Sequence, residues 1–73
     1  MNRLHEAALF VTTVAAQKAC DMAMQRDYVR TATYARRYSR GEIKGYCVCL
    51  QHSDGTRSEM SEDYAEELFQ CAV

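Results

Sequence analysis

Residues 43 to 60 read Ile43-Lys44-Gly45-Tyr46-Cys47-Val48-Cys49-Leu50-Gln51-His52-Ser53-Asp54-Gly55-Thr56-Arg57-Ser58-Glu59-Met60. Tyr46, Val48 and Leu50 alternate with Cys47, Cys49 and Gln51, which is the period of a strand with its two faces in different surroundings. Asp54-Gly55 then supplies residues that tolerate φ > 0, as a tight hairpin turn demands. A β-hairpin is therefore expected here. Two strands alone are marginal in water, so the rest of the chain must supply a third strand or a helix against one face.

Immediately upstream, Tyr28 to Ser39 admits two readings. As a helix, Asp27 caps it and Tyr28, Ala32 and Ala35 share a face; as a strand, it is dense in the β-formers Tyr28, Val29, Thr31, Thr33, Tyr34 and Tyr38. The hairpin's need for a third strand selects the second reading. A strand from about Arg30 to Tyr38, joined through Ser39-Arg40-Gly41-Glu42 to the next, completes a three-stranded antiparallel meander.

Towards the N-terminus, Asn2 is a suitable N-cap, and Arg3 to about Gln25 reads as one helix without Gly or Pro. Leu4, Ala8, Val11, Ala15 and Met22 form one stripe, with Leu9, Thr12, Ala16 and Ala19 beside it. So much Ala suits a close approach to a sheet, while Phe10 and Val14 fall on a second face available for contact. Beyond the hairpin, Ser61 is a good N-cap, and Glu62 and Asp63 in the first turn oppose the positive end of the helix dipole. A helix from Glu62 to about Cys71 follows, with Ala65, Leu68, Phe69 and Ala72 on one side. The predicted fold class is α+β: a small single domain over residues 1–73, α-β-β-β-α, with the helices packed on the meander.

A chain of 73 residues has room for one small core, worth on the order of 3 to 5 kcal/mol net. Its hydrophobic fraction of 48% is that of a globular chain, and no repeat or low-complexity stretch marks a linker or solenoid. Net charge is only −1, yet its distribution is uneven. Residues 26–44 carry Arg26, Arg30, Arg36, Arg37, Arg40 and Lys44 against Asp27 and Glu42, a local +4. Residues 54–67 carry Asp54, Glu59, Glu62, Asp63, Glu66 and Glu67 against Arg57, a local −5. Either the two regions lie together and screen each other, or they are patches facing different parts of a large partner.

Four Cys would suit two disulfides in a secreted domain, and the apolar run Ala7 to Ala16 has the length of a signal-peptide core. Glu6, however, stands where a positive flank belongs, and the run equally fits a helix. Free thiols in a reducing cytoplasm are the expectation. No stretch approaches the roughly 18 apolar residues of a membrane span.

The chain has no Gly-rich phosphate loop, nucleophile elbow or His-Glu-x-x-His, and His5 and His52 fall in different elements without an acid or nucleophile spaced to serve them. An enzyme is not expected, nor a small-molecule substrate or cofactor; an exposed or capping role is expected for each His. Cys47-Val48-Cys49 with His52 is the best metal candidate, since residues i and i+2 of a strand point the same way. Structural zinc sites favour Cys-x₂₋₄-Cys pairs on turns, so the expectation is instead two small thiols lining the core face. Cys20 and Cys71 would complete a four-ligand shell only if both helices converged there.

In the basic segment Tyr28, Tyr34, Tyr38 and Tyr46 interleave with the cations. Such a set can neutralise phosphates and stack on unpaired bases, but Tyr and Arg are also enriched at protein hot spots. A protein partner is favoured, and the candidate partner-binding residues are Arg30, Tyr34, Arg36, Arg37, Tyr38, Arg40 and Lys44.

With its Ala-rich first helix, Tyr/Arg-rich strand, Ser53-Asp54-Gly55-Thr56 turn and Met60-Ser61-Glu62-Asp63 leading into a last helix, the chain resembles the small host-takeover proteins of bacteriophages. These include short transcription regulators that bind host RNA polymerase, with anti-CRISPR proteins as a neighbouring class. The resemblance lies in layout and assigns no residue a role. It implies a non-enzymatic regulator in the cytoplasm of the bacterial host that binds a host protein complex, RNA polymerase first, and inhibits or redirects transcription. An anti-CRISPR-type inhibitor of a defence nuclease is the alternative, and a single-stranded nucleic-acid-binding module the third reading; no membrane partner is implied.

Overall fold

The computed structural model describes residues 7–71. Its elements are α1 (Thr13–Ala23), β1 (Val29–Ser39), β2 (Glu42–His52), β3 (Arg57–Glu59) and α2 (Glu62–Cys71), in the α-β-β-β-α order that the sequence predicts. The strands form one antiparallel sheet in the order β1-β2-β3, so Tyr28 to Ser39 is strand rather than helix over nearly all its length.

The longest pairing is not the one the Asp54-Gly55 turn announces. β1 and β2 have eleven residues each and pair from Val29↔His52 to Ser39↔Glu42. They are joined by Arg40 (φ 54°) and Gly41 (φ 79°). A turn with φ > 0 at both central positions matches the right-handed twist of the flanking strands, which is why it serves the long hairpin. The Asp54-Gly55 hairpin is present and shorter: β3 meets only Cys49, Leu50 and Gln51. Gly55 has φ 94°, and the Asp54 carboxylate accepts from the Thr56 amide (2.9 Å) and hydroxyl (2.7 Å).

The first helix is shorter than its periodicity implies. It begins at Thr13, and Thr12 is an extended N-cap whose Oγ1 accepts from the Ala15 amide at 3.1 Å. Ahead of it, Ala7 to Phe10 are extended. Ala7 bridges Ser61 and Phe10 bridges Tyr46, with the Phe10 and Tyr46 amides each donating to the other's carbonyl at 2.8 and 2.9 Å. Two causes combine. Val11-Thr12-Thr13-Val14 is a β-branched run that a helix interior tolerates poorly and that offers a capping hydroxyl. The three-residue β3 also leaves backbone groups to be paired beyond it, and residues 7–10 meet them: Ala7 and Ala8 at Ser61 and Met60, and Phe10 at Tyr46 on the outer edge of β2. The expected N-cap Asn2 and the stripe residue Leu4 lie outside the described residues. Val11, expected in that stripe, is 87% exposed; the buried face of α1 is Ala16, Ala19, Cys20 and Ala23.

α1 and α2 share one hydrophobic cluster with the sheet. Ala19, Cys20 and Ala23 of α1 and Ala65 and Leu68 of α2 join Val29, Ala32, Val48, Leu50 and Met60. Met60, Val48 and Cys20 are the largest fully buried side chains, and burying one such Val or Met side chain contributes about 1.5–3 kcal/mol. Ala at the helix contacts lets α1 sit close to the strands. α2 starts as expected, with Ser61 Oγ accepting from the Tyr64 amide at 3.1 Å. Ala72, the last residue of its expected apolar side, lies outside the described residues.

Among the described residues no element covers the other face of the sheet, where Thr31, Thr33, Ala35, Arg37 and Cys49 are exposed. Here the placement of the thiols is corrected. Cys47 and Cys49 alternate with the core residues Val48 and Leu50 and so occupy the uncovered face; Cys49 is exposed, and Cys47 is shielded with Arg37 Nη2 3.7 Å from its sulfur. Both alternating sets contain apolar residues, and the larger Val48 and Leu50 gain more from burial. Among the described residues no helix is long and apolar enough to cross a membrane.

Candidate functional site

The helical layer ends before the hairpin does. On β1 the last buried residue is Ala32, and everything from Thr33 to Ser39 is exposed; on β2 burial begins only at Gly45. The pairs Arg36↔Tyr46, Arg37↔Gly45, Tyr38↔Ile43 and Ser39↔Glu42, closed by Arg40-Gly41, therefore form a distal arm of paired backbone whose side chains are exposed except at its base, where Gly45 is buried and Tyr46 half-buried. An irregularity between Arg37 and Tyr38 leaves Lys44 without an opposite residue, and such a bulge increases the local twist.

The arm gathers most of the expected partner-binding residues. Arg36, Tyr38, Arg40 and Lys44 lie within it, and all are exposed. Tyr38 is 56% exposed and stands opposite Ile43, itself 51% exposed. The Tyr38 hydroxyl is the main group that holds the Arg36 guanidinium above its ordinary range, with Tyr46 and Tyr34 adding to the effect. Tyr34 sits at the base of the arm, its ring edge-on to Tyr46 with centroids 6.0 Å apart.

Two expected residues are placed differently. Arg37 faces the uncovered side, where it forms an ion pair with Glu59 and donates towards Cys47 Sγ. It ties β1 across β2 to β3, and the Cys47 sulfur and then Glu59 favour its charged form. Arg30 lies at an irregularity between Val29 and Thr31, at the far end of β1, roughly 25 Å of strand from Tyr38. It does not join the arm.

Sequence reasoning missed Ile43 and Leu9. Leu9 lines a hollow of about 360 Å³ with Ala7, Arg37, Tyr38, Ser39 and Lys44. Ile43 carries a legible signal, being a lone large apolar residue between Glu42 and Lys44; Leu9 carries none, because its place depends on residues 7–10 being extended. Also unforeseen is a polar aromatic group at the base of the sheet. The Tyr28 and Tyr64 hydroxyls are 2.8 Å apart, the Tyr28 ring stacks on His52, and His52 Nε2 lies 2.8 Å from Ser58 Oγ. Burial, and then Tyr28, push the Tyr64 hydroxyl well above the ordinary tyrosine range. His52 is thus a cross-strand partner of Ser58, while Cys47 and Cys49 occupy the opposite face; among the described residues no three His, Cys, Asp or Glu side chains converge as a metal site would require. His5 lies outside the described residues.

The fold and the arm define a class: a small α+β domain whose two helices cover one sheet face and whose long hairpin extends past them. Comparison with protein-family models, with curated proteins and with solved structures returns no match for this chain.

Proposed function

We propose that the protein is a non-enzymatic binding module that seats the distal arm of its β1–β2 hairpin on a host protein complex, with bacterial RNA polymerase as the target and inhibited or redirected transcription as the result. The observation that supports this is the exposed set Arg36, Tyr38, Arg40, Ile43 and Lys44 on one short length of paired backbone. Arg and Tyr carry a disproportionate share of interface energy, and an arm already held in a sheet loses little entropy on docking. The choice of polymerase rests on the layout shared with phage host-takeover proteins, and the cytoplasm of the bacterial host is where such a target resides.

A protein partner is favoured over single-stranded nucleic acid by where the rings lie. The uncovered sheet face has no aromatic side chain among its described residues, and Tyr34 and Tyr46 are engaged with each other, leaving Tyr38 as the free platform of the arm. The test uses purified RNA polymerase holoenzyme in binding and run-off transcription assays. Wild-type protein is expected to bind and to change transcript yield, and the Tyr38→Ala/Arg40→Ala/Lys44→Ala variant to lose both while keeping its circular dichroism. Absence of binding at roughly 100 µM, weaker than specific complexes generally are, excludes polymerase. The same assay with a Cas nuclease in place of polymerase separates the inhibitor of a defence nuclease from the regulator of transcription.

A further inference from the structure

We propose that the free edge of β1, together with the groove between β1 and α1, takes an extended acidic segment of a partner protein as a fourth strand. β1 pairs with β2 on one side only, and the strand order leaves its other side open. Among the described residues, the backbone of residues 30–39 makes no hydrogen bond other than to β2. Alternate amides and carbonyls along it therefore point to solvent, the arrangement onto which an extended peptide adds. The opposite edge offers less, because β3 has only three residues and the chain just beyond it, at Met60 and Ser61, pairs with Ala8 and Ala7. β1 also contains no Pro to interrupt an added strand.

Beside this edge lies a groove of about 420 Å³ lined by Thr13, Val14, Gln17, Lys18, Asp21 and Tyr34. Val14 is 78% exposed and Tyr34 38%, so the groove offers apolar surface that the core leaves uncovered. Gln17 donates to the Asp21 carboxylate at 2.9 Å, so that wall carries Lys18 beside an anion already held by a neutral amide, and the positive excess of the site comes from β1. An added strand would turn alternate side chains, roughly 7 Å apart, towards this groove, where one apolar residue would meet Val14 and Tyr34.

Charge selects the occupant. Arg30 and Arg36 lie along β1, with Lys18 and Asp21 offsetting each other in the groove beside it, so the edge is positive, while Arg37 is already paired with Glu59. A second copy pairing antiparallel about Thr33 would set Arg30 opposite Arg36 twice, and like charges directly opposite are destabilising. An acidic strand meets attraction at the same positions. This surface shares Arg36 and the backbone of Tyr38 with the arm but uses neither Arg40 nor Lys44, so a variant at those two residues separates the two readings.

The probe is a capped synthetic peptide alternating Val and Glu over about nine residues, enough to span most of β1. Two controls accompany it: the same peptide with Lys for Glu, and the Val/Glu peptide N-methylated at alternate positions, which removes its strand donors. Amide chemical shifts of the full chain are followed on titration. Shifts are expected along residues 30–38 and at Val14, Gln17 and Lys18, with affinity lowered roughly tenfold or more by either control and by Val14→Glu, a substitution at an exposed site. Arg40→Ala/Lys44→Ala, in the turn and on β2, is expected to bind the peptide within about twofold of wild type, because neither residue belongs to the open edge of β1. The proposal is overturned if the Lys peptide binds equally well, if the shifts fall elsewhere, if no shift occurs at millimolar peptide, or if the arm variant abolishes binding.

Discussion

Arg40 is the one non-glycine residue with positive φ among the described residues, and it sits at the tip of the arm. The left-handed region costs an L-residue about 1 kcal/mol, less for Asn, whose short side chain bonds locally. Arg40→Asn is therefore expected to raise stability by about 0.5–1 kcal/mol, read as a higher denaturant midpoint, while weakening target binding through loss of the guanidinium. Unchanged stability would mean that the turn holds no such strain. At the second turn, the Thr56 amide and then its hydroxyl hold the Asp54 carboxyl below the usual aspartate range. A depressed acid contributes stability above its unfolded-state pKa and loses it as pH falls through the folded value. Thermal melts from pH 6 down to about pH 2 should show Asp54→Asn losing less stability on acidification than wild type. The two turns differ in legibility. Asp54-Gly55 is a turn signal on its face, whereas Arg40 gives no hint of positive φ, which is imposed by the pairing of the strands either side.

The elements themselves were legible where local signals agree: the alternation in β2, the β-formers of β1, and Ser61-Glu62-Asp63 before α2. The start of α1 and the facing of β2 were not. Ala7 to Phe10 fits a helical stripe as well as an extended run, and what decides is backbone distant in sequence, at Tyr46 on β2 and at Met60 and Ser61 after β3. Likewise Cys47-Val48-Cys49-Leu50 reveals its alternation but not which set faces the helices, since thiols and aliphatic groups both accept burial. Gly45 reports on the misread segment. A Cβ there would stand 3.1 Å from the Phe10 carbonyl oxygen and 3.5 Å from Leu9 Cβ, and the nearer atom is backbone. Gly45→Ala is expected to cost about 1–3 kcal/mol, the scale of local overpacking, and to raise hydrogen exchange at the Phe10 and Tyr46 amides ahead of those of β1. If exchange stays uniform, residues 7–10 are not held by this contact. The consequence reaches α2, because Phe10 packs on Phe69 with ring centroids 6.2 Å apart.

For the molecule as a whole, the candidate site was legible as a composition and not as a shape. The Tyr/Arg segment stood out, but only the fold separates Arg36, Arg40 and Lys44 on the arm from Arg30 at the far end of the strand and from Arg37 in its ion pair. The acidic region resolves similarly: Glu59 neutralises Arg37, while Asp63, Glu66 and Glu67 are exposed on α2, which packs against α1 and not against the arm. Mutual screening thus operates at Arg37–Glu59, while the exposed cations of the arm and the exposed acids of α2 form surfaces of opposite sign. If the arm is the docking surface, the partner's contact region is negative, and the acids of α2 oppose the approach. Arg36→Ala/Arg40→Ala/Lys44→Ala should then lower the association rate roughly tenfold at low salt, with a smaller difference near physiological ionic strength, where the Debye length is about 8 Å. Glu66→Lys/Glu67→Lys should raise that rate, since rim charges act mainly on encounter. Stopped-flow association with the target at two salt concentrations measures both. The opposite pair of results, loss of binding on reversing α2 and retention on trimming the arm, would make the acidic helix the contact surface and the partner's groove basic.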